Sequence, residues 1–179
     1  RRSSMTLFSD PTCQFSHRVR IVLAEKGVTV EIENTETDCV TDEILEANPY
    51  GTLPTLVDRD LALYKSTVIM EYLDERFPHP PLLPVYPVSR AESRLWIYRI
   101  ERDWCSLIPK IEVQDSDEAR TELRDSIVSI ASIFDEMPYF MSEEFTLVDC
   151  CLAPLLWRLP SYSISSVSYT HLTLPTILR

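Results

Sequence analysis

TLPTLVDRDLALYKSTVIMEYL, residues 52–73, decides the fold. Thr55–Asp58 and Leu61–Tyr64 are apolar runs of strand length with only Arg59-Asp60 between them, so they close into a hairpin. Ser66 stands where a hydroxyl can accept an amide hydrogen bond and open a helix, with Ile69, Tyr72 and Leu73 on its buried side. A hairpin with one covering helix buries a single sheet face, and the rest of the sheet must come from upstream.

Met5-Thr6-Leu7-Phe8 reads as a strand that ends at the turn Ser9-Asp10-Pro11. Phe15 to Lys26 carries Val19, Val22 and Leu23 at helical spacing, and Gly27 follows where a helix needs a left-handed residue to stop. Val28, Val30 and Ile32 alternate with polar residues as a half-buried strand does. Asp42 to Ala47 is a short helix that ends before Asn48-Pro49. The order is strand, helix, strand, helix, strand, strand, helix. Its first part is a β-α-β unit with a right-handed crossover and parallel strands. The expectation is an α/β domain over residues 1–77 with a mixed four-stranded sheet.

Five prolines between Phe77 and Val88 forbid a helix and stiffen the chain, so residues 78–88 are expected to link two domains. Beyond them the spacing is helical. Ile97, Ile100, Trp104 and Leu107 form one stripe, with Pro109 expected to kink or end that helix; Leu123, Ile127, Ile130 and Phe134 form a second. Thr146-Leu147-Val148-Asp149 is a capping box with Asp in place of Glu, and Pro154 lies within the helix it opens. An all-α domain is therefore expected over residues 89–160. Residues 161–179 read as an irregular tail, serine-rich and then without a helical stripe, and from Ser166 onward as non-native read-through. A genuine disordered tail is the plainer alternative.

The net charge of −11, from 28 acidic and 17 basic residues, repels phosphate backbones and anionic lipid. No direct nucleic-acid binding and no membrane contact are expected, and a partner with a basic surface suits the field. Five cysteines, an odd count, match by their spacing no disulfide framework or metal motif, and the three histidines are far apart, so no metal is expected. Reduced thiols place the chain in the cytoplasm. Arg1-Arg2-Ser3-Ser4 runs straight into the first strand rather than into a signal-peptide core.

Thr52-Leu53-Pro54-Thr55-Leu56 resembles the loop before the third strand of glutathione-S-transferase-like proteins, and Ser66 with Ile69 to Leu73 resembles the family's next motif. The resemblance implies a thioredoxin-like N-terminal domain, an all-helical C-terminal domain and a cis bond before Pro54. Longer stretches go further: Arg18 to Gly27, Met70 to Leu82, and Leu147 to Pro160 are similar to the stringent starvation protein A family. That resemblance covers roughly residues 5 to 160. It implies an RNA-polymerase-associated regulator of the stress and starvation response, a homodimer that binds the polymerase holoenzyme and its sigma factor without catalysis or cofactor. It also implies an exposed partner-binding surface at Pro78, His79 and Pro80, where rigid prolines present a preformed shape at low entropic cost.

The alternative is a glutathione-dependent transferase or thiol reductase acting through Cys13. The run Cys13-Gln14-Phe15-Ser16 resembles the Cys-x-x-Ser form of glutathione enzymes, and amides at a helix start favour a thiolate. Its glutathione-like pocket would comprise Cys13, Leu53, Pro54, Lys65 and Ser66. Lys65 opposes that reading, because transferases usually carry an acidic residue there; so does Asp10, if it lies near the sulfur. Arg18, Arg20, Arg90, Arg94, Arg99 and Arg102 suit a dimer seam or an acidic partner, and the sequence does not choose.

Overall fold

The computed structural model describes residues 4–164. The chain divides into two compact units, Arg1–Pro81 and Leu82–Arg179. The first has the order β1 (Met5–Ser9), α1 (Gln14–Lys26), β2 (Glu31–Asn34), α2 (Asp42–Ala47), β3 (Thr55–Asp58), β4 (Leu61–Tyr64), α3 (Ser66–Arg76). The strands lie in the order β2-β1-β3-β4, with β1 parallel to β2 and antiparallel to β3, and β3 antiparallel to β4. This is the thioredoxin-like mixed sheet.

Gly27 ends α1 with φ +65, as its place after the last helical turn requires. Arg59 has φ +57 in the hairpin turn. The interior holds Leu7, Val19, Val22, Leu56, Ile69, Met70 and Leu73, each at most 1% exposed. Strand β2 departs from the expectation. Only Ile32 of the three alternating residues lies in it, and all four strand residues are exposed. It is an edge strand with one hydrogen-bonded neighbour, so alternation there does not mean burial. Ser66 does not cap α3 either. Lys65 occupies the cap position with φ +71, Ser66 is the first helical residue, and its hydroxyl accepts from Arg18 instead.

The second unit contains α4 (Pro87–Asp103), a 3-10 turn (Cys105–Leu107), α5 (Ile108–Glu112), α6 (Asp117–Ser129), α7 (Ala131–Glu136), α8 (Leu147–Arg158) and a second 3-10 turn (Leu159–Tyr162). Pro87 sits in the first turn of α4, where a missing N–H costs nothing, so the helix begins inside the stretch expected to be a linker. The stripe Ile97, Ile100, Trp104, Leu107 is buried throughout, but α4 ends at Asp103, and Pro109 opens α5 rather than ending α4. The second stripe is broken as well. Ile130 leaves helical geometry at φ −112, ψ 12 and separates α6 from α7.

The capping box of α8 is formed. Thr146 Oγ1 accepts from the Val148 amide, and Asp149 Oδ2 accepts from the Thr146 amide at 2.9 Å. Packing continues past Pro160. Tyr162 and Ile164 are buried, Tyr162 donates its hydroxyl to Glu112, and Arg120 Nε donates to the Tyr162 carbonyl at 2.8 Å. The irregular tail expected from residue 161 is therefore an ordered turn as far as Ile164. The read-through expected from Ser166 onward lies outside the described residues. Among the described residues no helix is long and apolar enough to cross a membrane, and no three His, Cys, Asp or Glu side chains cluster as a metal site would require.

Candidate functional site

Both sequence-derived sites lie in the first unit, and helices α1 and α3 set their relation. Arg18 Nη1 donates to Ser66 Oγ at 3.4 Å, and Lys26 Nζ donates to Asp74 Oδ1 at 2.7 Å. Each contact joins residues 48 positions apart. The helices therefore run parallel, pinned at two levels about 12 Å apart at 1.5 Å of rise per residue. Their N-termini, and with them Cys13 and Lys65, lie at one end of the pair. The Pro78–Pro80 turn follows the C-terminus of α3 at the other end. Two separate places result.

At the N-terminal end, Cys13 is the cap residue of α1, half-buried, in extended conformation, and its side chain makes no capping bond. Burial would raise the Asp10 pKa, but hydrogen bonds from the hydroxyl and amide groups of Thr37 and Thr12 outweigh burial and hold it at about 2. Arg20 braces the same loop, donating to Ser9 Oγ at 2.5 Å and to the Asp10 carbonyl at 3.2 Å. Arg18 is fully buried, with its guanidinium 4.8 Å from the centre of the Phe15 ring. Arg18 and Arg20 thus support the start of α1 from within the unit.

The Leu53–Pro54 bond is cis, as the resemblance implies. The loop around it is held by Asn48, a residue the sequence marked only as a helix stop. Its buried amide donates to the Thr52 carbonyl, Thr52 Oγ1 and Thr55 Oγ1 at 2.9–3.1 Å, and its Oδ1 accepts from the Tyr50 amide. Asn before Pro is common as punctuation, which is why this role was hidden. Gly51 completes the loop at φ +60, where an added Cβ would come within 3.1 Å of the Leu45 side chain. Leu53 packs in a small core with Phe8 and Ile44. Lys65 is exposed, whereas Ser66 is 4% exposed with its oxygen engaged by Arg18. Ser66 Oγ accepts from Arg18 and keeps its own O–H to donate.

At the opposite end, Pro78, His79 and Pro80 are all exposed, and the His79–Pro80 bond is also cis. The Pro80 carbonyl is not left to solvent; Lys26 Nζ donates to it at 2.5 Å. In the second unit a cavity of about 230 Å³ opens between Trp96, Phe140, Met141 and Glu92. It is smaller than ordinary small-molecule sites and leaves Trp96 chiefly a packing residue, edge-on to Phe140 at 5.0 Å.

Residues 7–81 match the family described as glutathione S-transferase, N-terminal domain, and residues 95–173 match glutathione S-transferase, C-terminal domain. The chain is 59% identical over 167 residues to a stringent starvation protein A homolog of Pasteurella multocida (strain Pm70), covering 92% of this chain and 79% of that one. A homolog of the same name from Coxiella burnetii is 56% identical over 167 residues, covering 92% and 80%. Among solved structures, glutathione transferase Omega 3C from Trametes versicolor superposes with a TM-score of 0.83 at 22% identity, covering 99% of this chain and 86% of that one.

Proposed function

Because the chain belongs to the stringent starvation protein A homologues, within the glutathione S-transferase fold, we propose that it is an RNA-polymerase-associated transcription regulator of the stress and starvation response. It acts by binding the polymerase holoenzyme through its sigma factor, as a cytoplasmic homodimer and without turnover. The observation that carries this reading is the Pro78–His79–Pro80 turn. Its three residues are exposed, proline rings fix two of their φ angles, and a buried ammonium holds the base. Such a surface loses little entropy on docking. The net charge of −11 favours a partner with a basic face.

His79→Ala removes the central side chain of the turn while leaving both prolines. Captured polymerase holoenzyme is expected to bind this variant about tenfold more weakly, the scale of a single important interface residue. Retention equal to that of the unaltered chain would take the turn out of the interface.

One observation favours a second reading, glutathione chemistry at Cys13: the residue is only half-buried at the start of α1, and the Asp10 carboxylate is engaged by Thr12 and Thr37. If that reading holds, millimolar glutathione raises the melting temperature and Cys13→Ser abolishes thiol transfer. A ligand at 100 times its Kd stabilises by about 2.7 kcal/mol, so a flat melting curve counts against it. Lys65, which stands where transferases usually carry an acidic residue, makes the flat curve the expected result.

A further inference from the structure

Lys26 is the last residue of α1, and its side chain is fully buried. Its ammonium has two acceptors, Asp74 Oδ1 at 2.7 Å in the last turns of α3 and the Pro80 carbonyl at 2.5 Å in the exposed turn. The first contact is internal to the helix pair. The second reaches from that pair into the surface proposed to dock. A buried ammonium cannot exchange its acceptors for water without exposing itself, so both bonds persist together. Asp74 is also buried and orients the ammonium.

We infer that Lys26 is the positioning residue of the docking turn: an internal latch that keeps Pro78, His79 and Pro80 in a single presented shape. The inference rests on the reading of that turn as the polymerase-binding surface and names the residue that prepares it. Lys26 itself touches no partner. Its contribution is to the fraction of molecules already in the docking shape, and apparent affinity scales with that fraction. A turn that spends one-tenth of its time in that shape binds about tenfold more weakly.

Stability and latching are separable by mutation. In Lys26→Met/Asp74→Leu both charges give way to apolar groups, a change that buried ion pairs often tolerate, yet the Pro80 carbonyl loses its donor. In Asp74→Asn the fold is weakened, yet Lys26 still reaches Pro80. Three quantities are measured on the full chain: melting temperature, ¹⁵N relaxation of the His79 amide, and binding to captured polymerase holoenzyme. The expected pattern is crossed. The double variant melts near the unaltered chain, shows a mobile His79 and binds about tenfold more weakly. Asp74→Asn melts lower, keeps His79 rigid and, at a temperature where it is folded, binds normally.

A rigid His79 in the double variant overturns the latch, whatever the binding shows. A mobile His79 with unchanged binding overturns its role in docking. If His79→Ala binds normally, the docking surface itself is wrong, while relaxation still judges the latch. Should the double variant fail to fold, Lys26→Gln against Asp74→Asn makes the same comparison. Both break the ion pair, and only Lys26→Gln, whose side chain is too short for Pro80, frees the turn.

Discussion

Asp149→Ala lowers the stability of the folded chain by about 3 kcal/mol at pH 5 and by about 2 kcal/mol at pH 7. The carboxylate accepts from the Thr146 amide through Oδ2 and from the Phe140 amide through Oδ1, at 2.9 and 3.0 Å, in a buried setting. Its removal strands two amides that water does not reach, and each costs on the order of 1–3 kcal/mol. Part of that is offset because charging the same group is unfavourable. Burial pushes the Asp149 pKa up from 3.8 to about 6, against the hydrogen bonds from Phe140 and Thr146 that pull it down. A carboxyl whose pKa is raised on folding binds its proton more tightly in the native state. Stability therefore falls as pH rises from the ordinary carboxylate value through about 6, the reverse of the usual acid-denaturation slope.

Between pH 5 and pH 7 this amounts to about 1 kcal/mol. Urea titrations of the unaltered chain, Asp149→Ala and Asp149→Asn at the two pH values check it. The asparagine variant, which cannot ionise, is expected to lack this component, so its stability relative to the unaltered chain improves by about 1 kcal/mol on going to pH 7. A difference that stays constant between the two pH values would mean that the box is held by a group titrating at an ordinary carboxylate pKa.

The elements that sequence reading placed well are those whose signal is local. The hairpin Thr55–Tyr64 needs only two apolar runs and a two-residue gap, and α2 needs only the Asn-Pro that ends it. The box at Thr146 is likewise written within four residues. Where a second element decides the outcome, the reading failed. Strand β2 has the alternation of a half-buried strand, but burial depends on which neighbours flank it, and it lies at the sheet edge. Ser66 has the chemistry of a cap, yet a buried arginine 48 residues earlier claims its oxygen. A stripe such as Leu123 to Phe134 keeps helical spacing across a break, because two short helices bury the same face as one long one.

The candidate sites follow the same rule. Cys13, Lys65 and the Pro-His-Pro turn were legible as residue types in place. What sequence spacing could not show is that parallel helices put the cysteine and the turn at opposite ends. Nor could it show that Asn48 and Lys26, each an ordinary punctuation or solubility residue by type, clamp the two loops from within.

Lys26→Met alone is expected to destabilise the chain by about 3–5 kcal/mol, and Asp74→Leu alone by a similar amount, because each leaves a charge buried without its counter-charge. The double variant is expected to fall within about 1 kcal/mol of the unaltered chain, since two apolar side chains, Met close to Lys in volume and Leu branched at Cγ as Asp is, remove both desolvation penalties at once. The coupling energy from this cycle is then several kcal/mol, far above the 0–1 kcal/mol of an exposed pair such as Arg124 and Asp125. The comparison is internal to the molecule: one pair is buried and joins two helices, the other is exposed and joins chain neighbours. Chemical denaturation of the four chains at neutral pH measures it. Additive single effects would mean that the Lys26 ammonium and the Asp74 carboxylate do not depend on each other. The contact between Lys26 and the Pro80 carbonyl is a separate bond, and the relaxation of His79 judges it independently of this cycle.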